Sequence, residues 1–186
     1  MSRSPELRGL RRTLVYGLGL SGLAAARLLR RRGAEVTGFD DRPLAAGALG
    51  ELADDSGFRL LPPGVPPALP AGIEAVIVSP GVPAGRPLLA AARERGVPVV
   101  AEVELAWQHL DGRIVPITGS NGKSTTTALT GALLAAAGVP VEVCGNIGRP
   151  LSACVEGPAG RTFVVELSSF QLEGITSLAP VAAALL

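Results

Sequence analysis

The sequence predicts an α/β fold: a Rossmann-like parallel-sheet domain over residues 1–111, then the start of a P-loop-type parallel α/β domain over residues 112–186. Three observations carry this expectation. Strand-length apolar runs alternate with helix-length stretches along the whole chain, which favours parallel sheets joined by crossovers. Glycines stand just past the predicted helices, at 33, 96 and 138, where a left-handed stop is needed. Two glycine-rich turns, at 17–22 and 119–122, each follow a strand pattern and precede a helix pattern.

Residues 13–16 read as a short buried strand, 17–22 as a turn and 23–32 as a helix with basic residues at its C-terminal end. Residues 35–39 form the second strand, ended by Asp40 and Asp41, which completes a βαβ unit. Residues 43–72, with five prolines between 62 and 70, read as a surface loop. A strand follows over 74–79. Pro87 then opens a helix to Arg95, a strand covers 97–101, and a short helix runs to about Leu110 with Glu102 and Glu104 on its surface. Asp111-Gly112-Arg113 is the expected domain boundary. Beyond it come a strand over 114–118, a helix over 124–137, and strands over 139–143, 162–167 and 181–186. The last run is apolar to its end, so the sequence is expected to be truncated relative to a complete enzyme.

Composition narrows the function. Of 186 residues 47% are hydrophobic, enough for a core, and the net charge is +1, which leaves no nucleic-acid footprint. No stretch reaches the ~18 continuous apolar residues of a membrane span. Arg11-Arg12 before the apolar stretch 14–29 imitates a secretion signal, but its glycines sit where a strand–turn–helix unit needs them, so a cytoplasmic protein is expected. Cys144 and Cys154 form no CxxC pair and read as small core residues. His109 is the single histidine, too few for a histidine metal site. Sixteen of the 17 basic residues are Arg, and the one Lys is Lys123. A chain that uses Arg for general charge but Lys here suits a site wanting a compact ammonium.

The neighbours of Lys123 give it a role. Thr118-Gly119-Ser120-Asn121-Gly122-Lys123-Ser124-Thr125 links strand to helix. Glycines let successive N–H groups converge on phosphate oxygens, the helix N-terminus adds positive partial charge, Lys123 can neutralise the β- and γ-phosphates, and the Ser124 hydroxyl can ligate Mg2+. Residue 117 is Ile, so the loop is shorter than the general GxxxxGK[ST] pattern. The bland alternative is a glycine-rich helix cap with a surface lysine. Gly17-x-Gly19-x-x-Gly22, followed by Asp40 and Asp41, outlines a dinucleotide-binding turn, and by spacing alone it could hold NAD or FAD. Glu166 ends a strand at the head of Glu-Leu-Ser-Ser-Phe-Gln-Leu-Glu. Alone it would read as a solvated strand end, but beside the phosphate loop it is the leading metal candidate.

TGSNGKST, then GNIG at 145–148, then ELSSFQLE, in that order, resemble the central ATPase domain of the Mur ligases, while GLGLSG at 17–22 with SPG at 79–81 resembles their UDP-gripping N-terminal domain. The resemblance covers essentially all 186 residues, and the ELSSFQLE form is nearest to the D-glutamate-adding members. It implies an ATP- and Mg2+-dependent ligase of peptidoglycan synthesis acting on UDP-N-acetylmuramoyl-L-alanine and D-glutamate through an acyl phosphate. It also implies a monomer with neither nucleic-acid partner nor membrane insertion. By matching positions, Gly19, Leu20, Ser21, Asp41, Arg42 and Gly81 would contact the uridine diphosphate, with Ser168 also on the substrate side. The family often has a hydroxyl residue at the position of Asp41. Residues 119–125 would hold ATP, Ser124 and Glu166 would hold Mg2+, and Lys123, Asn146 and Glu166 would be catalytic, Asn146 lying between the two sites. The family's carbamylated lysine, a histidine and the amino-acid-binding domain have no counterpart here, so the chain is expected not to turn over alone.

Rival readings differ in class. An NAD-dependent oxidoreductase would use GLGLSG but leave TGSNGKST unexplained. A non-catalytic nucleotide-binding module is a second. A small kinase, which would clamp phosphate with arginines such as Arg149 or Arg161, is a third. A sibling ligase adding another residue is the nearest alternative.

Overall fold

The computed structural model describes residues 5–64 and 68–186, so part of the proline-rich stretch, including Pro66 and Pro67, lies outside the described residues. Two all-parallel sheets are present. The first has the order β3-β2-β1-β4-β5, from β1 (Arg12–Tyr16), β2 (Glu35–Phe39), β3 (Phe58–Leu60), β4 (Ala75–Val78) and β5 (Val99–Ala101). The second has the order β7-β8-β6-β9, from β6 (Gly112–Thr118), β7 (Val141–Gly145), β8 (Arg161–Glu166) and the two-residue β9 (Ala184–Leu185).

Alternation along the strands decides where the helices go. On β1, Leu14 and Tyr16 face one side, in a cluster with Phe39, Val76 and the leucines of α2 (Pro87–Glu94). Val15 faces the other, with Ala25, Ala26, Leu28 and Leu29 of α1 (Leu20–Arg31) and Val103, Leu105 and Ala106 of α3 (Glu102–His109). That second cluster continues without a break into Ile114, Leu151, Phe163 and Val165 of the other half of the chain. Helices α1 and α3 both touch the 3-10 turn Leu151–Ala153, which follows β7. On the second sheet α4 (Lys123–Ala136) packs across β6, β7 and β8, but keeps Leu129 and Leu133 exposed.

Several expectations change. Helix α1 starts at Leu20, so the first turn is only three residues long and Gly22 lies inside the helix. The stretch 43–72 is not a plain loop: it contains the 3-10 turn Gly50–Ala53 and the edge strand β3. The final strand shrinks to β9. The main correction concerns Glu102 and Glu104, which are buried, not on a helix surface. Glu102 Oε1 accepts the Ser152 N–H at 2.6 Å. Glu104 Oε2 accepts the N–H groups of Thr176 and Ser177 at 2.9 and 3.1 Å, and Oε1 accepts from Gln108 Nε2 at 2.9 Å and from the Ser177 hydroxyl. Both carboxylates face segments from the second half of the chain, and α3 is the peg they dock on.

The cysteines behave as expected of core residues. Cys144 and Cys154 are buried free thiols, and the neighbouring Cys154 thiol, with burial, pushes the Cys144 pKa up. Among the described residues no helix is long and apolar enough to cross a membrane.

The two glutamates have opposite electrostatic signs. Burial raises the pKa of Glu102, and the Ser152 hydrogen bonds only partly oppose it. Its contribution is therefore full below the ordinary glutamate range near ~4.3 and is lost as pH rises through the folded value. Burial also acts upward on Glu104, but the bonds from Ser177, Thr176 and Gln108 outweigh it and hold the pKa down. Its stabilisation is present above that range and lost as pH falls. Glu102→Gln should raise the melting temperature more at pH 8 than at pH 5. Glu104→Ala, which takes the acceptor from the half-buried Thr176 and Ser177 amides, should cost about 1–3 kcal/mol at pH 7 by urea unfolding. The reverse signs would refute this account of the seam.

Candidate nucleotide-binding site

In a sheet of order 3-2-1-4-5, the chain leaves β1 and β4 on opposite sides, which opens a crevice at their C-terminal ends. Here that crevice is a cavity of about 630 Å³. Gly17, at the end of β1, has a φ of +85°, and a Cβ there would lie 2.6 Å from Val82 Cγ2. Gly22, in the first turn of α1, sits so close to the turn that a Cβ would fall 1.8 Å from the Gly17 carbonyl oxygen. Ser79, at the end of β4, donates its hydroxyl to the same oxygen at 2.6 Å. The GxGxxG spacing is thus used here for close strand–helix approach, and it brings the N-terminus of α1 to the cavity.

Seven of the eight sequence-predicted substrate residues line this one cavity: Gly19, Leu20, Ser21, Asp41, Arg42, Gly81 and Asn146. The last reaches it from the second sheet, together with Gly145, Gly148, Pro150 and Gln171. Ser168 does not line it. It caps the short helix α5 (Ser169–Leu172) in a reciprocal box with Gln171, and Gln171 is the residue that faces the cavity. Asp40 accepts the backbone N–H groups of Leu18 and Arg42 at 2.7 and 3.0 Å, so it shapes the wall. The Arg42 side chain is exposed and makes no ion pair among the described residues. Sequence reasoning missed Tyr16, Ser79, Arg86 and Gln171. Of these, Ser79 carried a local signal in the SPG turn and Gln171 one in ELSSFQLE, whose Ser-x-x-Gln spacing is that of a capping box, while Tyr16 and Arg86 carried none.

The second glycine-rich turn lies at the C-terminal edge of the other sheet. Residues 119–122 form the loop and α4 begins at Lys123. Ser120, Asn121, Gly122, Ser124 and Thr125 are exposed. Lys123 Nζ curls over its own loop, donating to the Gly119 carbonyl at 2.7 Å and the Ser120 carbonyl at 3.4 Å. The Ser120 N–H is already donated to the Leu186 carbonyl. β6 and β8 are paired so that Ile117 stands beside Glu166, which sets the Glu166 carboxylate next to the strand end feeding the loop. Glu166 is buried: Oε1 accepts from Asn146 Nδ2 at 2.9 Å, and Oε2 has no partner among the described residues. Asn146 therefore touches the Glu166 carboxylate and the first cavity at once. Arg149 and Arg161 both engage Glu142 across the base of this sheet.

Comparison with known proteins bears on the family and the fold. Residues 11–101 match the family model described as Mur ligase MurD-like, N-terminal domain. A UDP-N-acetylmuramoylalanine–D-glutamate ligase of Myxococcus xanthus (strain DK1622) is 49% identical over 178 residues, covering 94% of this chain and 39% of that protein. The protein of the same name from Anaeromyxobacter dehalogenans (strain 2CP-C) is 55% identical over 176 residues, covering 92% and 37%. The chain thus spans about two-fifths of the length of these relatives. Two solved structures share its fold. One is a UDP-N-acetylmuramate:L-alanyl-gamma-D-glutamyl-meso-diaminopimelate ligase from Neisseria meningitides, with TM-score 0.53 and 16% identity, covering 96% of this chain and 61% of that one. The other is a murein peptide ligase from Psychrobacter arcticus, with TM-score 0.53 and 19% identity, covering 86% and 39%.

Gly22→Ala tests the built turn. A methyl group driven into a backbone carbonyl has nowhere to go, so the variant should lose about 3 kcal/mol or more, or fail to fold. An unchanged melting temperature would mean that the α1–β1 approach is looser than described.

Proposed function

The chain belongs to the Mur ligase family, residues 11–101 being its MurD-like N-terminal domain, and from that premise we propose that it forms the substrate- and ATP-binding front of a UDP-N-acetylmuramoyl-L-alanine:D-glutamate ligase of the cytoplasm. Residues 1–111 would bind the uridine carrier and 112–186 would begin the ATP-binding domain. The observation that supports this most is the shared wall. One cavity collects Leu20, Ser21, Asp41, Arg42 and Gly81 from the first sheet and Asn146 from the second, and Asn146 is bonded to Glu166 beside the 119–125 loop.

The uridine diphosphate would lie across the N-terminus of α1, where free amides and the helix dipole favour a phosphate, with Arg42 supplying the charge-assisted bond. The backbone amides of 119–125 and the Lys123 ammonium would hold the ATP triphosphate. Lys123 would exchange its present carbonyl partners for phosphate oxygens. The donor set suits Mg2+: one hydroxyl from Ser124, one carboxylate from Glu166 and the remaining positions left to water and phosphate. The unpartnered Oε2 of Glu166 is an oxygen of the kind such an ion would take up. The bound ion would neutralise charge on the phosphates. MgATP would supply the γ-phosphoryl group, which passes to the free carboxylate of UDP-N-acetylmuramoyl-L-alanine to give an acyl phosphate and ADP. The amine of D-glutamate then displaces phosphate and forms the amide. Asn146 and Glu166 would hold the carboxylate and the triphosphate in one line. The catalytic work is positioning and charge clamping, with no covalent nucleophile on the protein.

Isothermal titration of the 186-residue chain with UDP-N-acetylmuramoyl-L-alanine should show binding, and Arg42→Ala should weaken it roughly ten- to hundredfold, the worth of one charge-assisted hydrogen bond. Failure to bind any uridine nucleotide would refute the reading. Lys123→Ala should abolish MgATP binding while leaving the uridine ligand's affinity within twofold. Loss of both together would mean that the two subsites are not separate.

A further inference from the structure

The uridine-side wall carries an assembly that the reading above does not use. Tyr16, the single tyrosine of the chain, ends β1. Its ring is fully buried, 5.1 Å from that of Phe39, and its hydroxyl donates to Asp41 Oδ1 at 2.8 Å. Arg86, the residue before α2, sets Nη2 2.7 Å from Asp41 Oδ2. Two side chains from separate elements therefore converge on one carboxylate that lines the cavity and keeps about a quarter of its side chain exposed.

The chemistry of the three groups is restrictive. An ionised carboxylate only accepts hydrogen bonds. Among the described residues each oxygen of Asp41 has one donor, leaving its other lone pair for a ligand. Burial and Asp41 together push the Tyr16 pKa up, so the phenol keeps its proton and remains a donor. A bare carboxylate in the same cavity as a diphosphate would repel it, and Arg86 cancels that charge. The Nε–H of Arg86 is itself buried without a partner among the described residues, which fits a guanidinium placed for its Nη contact.

We propose that Tyr16 and Arg86 are positioning residues that make Asp41 a fixed, charge-compensated acceptor for a ring N–H of the ligand's base, so that this wall selects a base with an imide-type N–H such as N3–H of uracil. The inference rests on the uridine-binding reading above. Arg86 then matters because of Asp41, not through a contact of its own with the ligand. A hydroxyl residue at position 41 would need no such cation.

Calorimetric titration with UDP and with 3-methyl-UDP, whose N3 carries no hydrogen, tests the idea without any variant. The wild-type chain should bind the methylated nucleotide at least about tenfold more weakly. A double-mutant cycle tests the positioning. Arg86→Ala should weaken UDP binding about tenfold beside Asp41 but less than about twofold in an Asp41→Ser background, and Tyr16→Phe should follow the same pattern with a smaller effect. Arg86→Gln serves where the alanine variant does not fold. Equal affinity for the two nucleotides, or the same loss on removing Arg86 in both backgrounds, would overturn this inference while leaving uridine binding intact. No binding of UDP by the wild-type chain would overturn both.

Discussion

Two buried carboxylates on one helix hold the halves of this molecule in register. Glu102 and Glu104 project from α3, and the backbone donors that meet them, from Ser152, Thr176 and Ser177, lie beyond residue 150. The two sheets do not pair as one, and besides the Ala101 N–H donated to the Gly174 carbonyl at 3.1 Å the seam relies on side chains that reach across it. A carboxylate suits because it accepts several donors at once, and an amide left without it inside the seam would be costly. The same burial that makes the contact specific makes Glu102 expensive to ionise, and the richer hydrogen bonding of Glu104 compensates where that of Glu102 does not. Registry at this seam places Asn146 and Gln171 over the crevice of the first sheet, and the candidate site exists as one cavity for that reason.

Features that depend on neighbours in sequence were legible before the structure. The parallel α/β class and the strand-end position of Glu166 follow from local spacing and stand; the first glycine-rich turn stands in place but is shorter than expected, and the order of the elements stands except for the 3-10 turn and β3 inside 43–72. The misreadings share a cause. Glu102 and Glu104 lie two apart at the start of a helix, a pattern that ordinarily faces water, and the partners that bury them are about 50 and 70 residues away. β3 is three residues long at a sheet edge, too short to show a period. Helix α1 starts on an exposed leucine, Leu20, so its apolar period begins only at the next turn. Tyr16, Asp41 and Arg86 sit on three separate stretches of the chain, and no pattern in the chain says that they meet.

Under the proposed reading, the two glycine-rich turns would approach a phosphate in different ways. The first is closed: Gly22 is jammed against Gly17 and Ser79 pins the same carbonyl, which leaves a rigid rim and a helix N-terminus. The second is open and carries its own cation, and Lys123 is held by two carbonyls of the loop it would serve. An ammonium is a compact donor on a flexible stem and can swing between such partners, whereas a guanidinium fork would lock into one. The single lysine of an arginine-rich chain stands at the loop where, in the proposed function, that freedom would be used.

The pair Cys144 and Cys154 gives the seam a built-in chemical clock. Both sulfurs are sealed in the core, and Cys154 lies two residues from Ser152, the residue that Glu102 grips. A buried thiol with a raised pKa does not react with alkylating reagents, so labelling must wait for the surrounding packing to part. Its rate therefore measures how often the second sheet comes away from α3 under native conditions, with no probe added to the molecule.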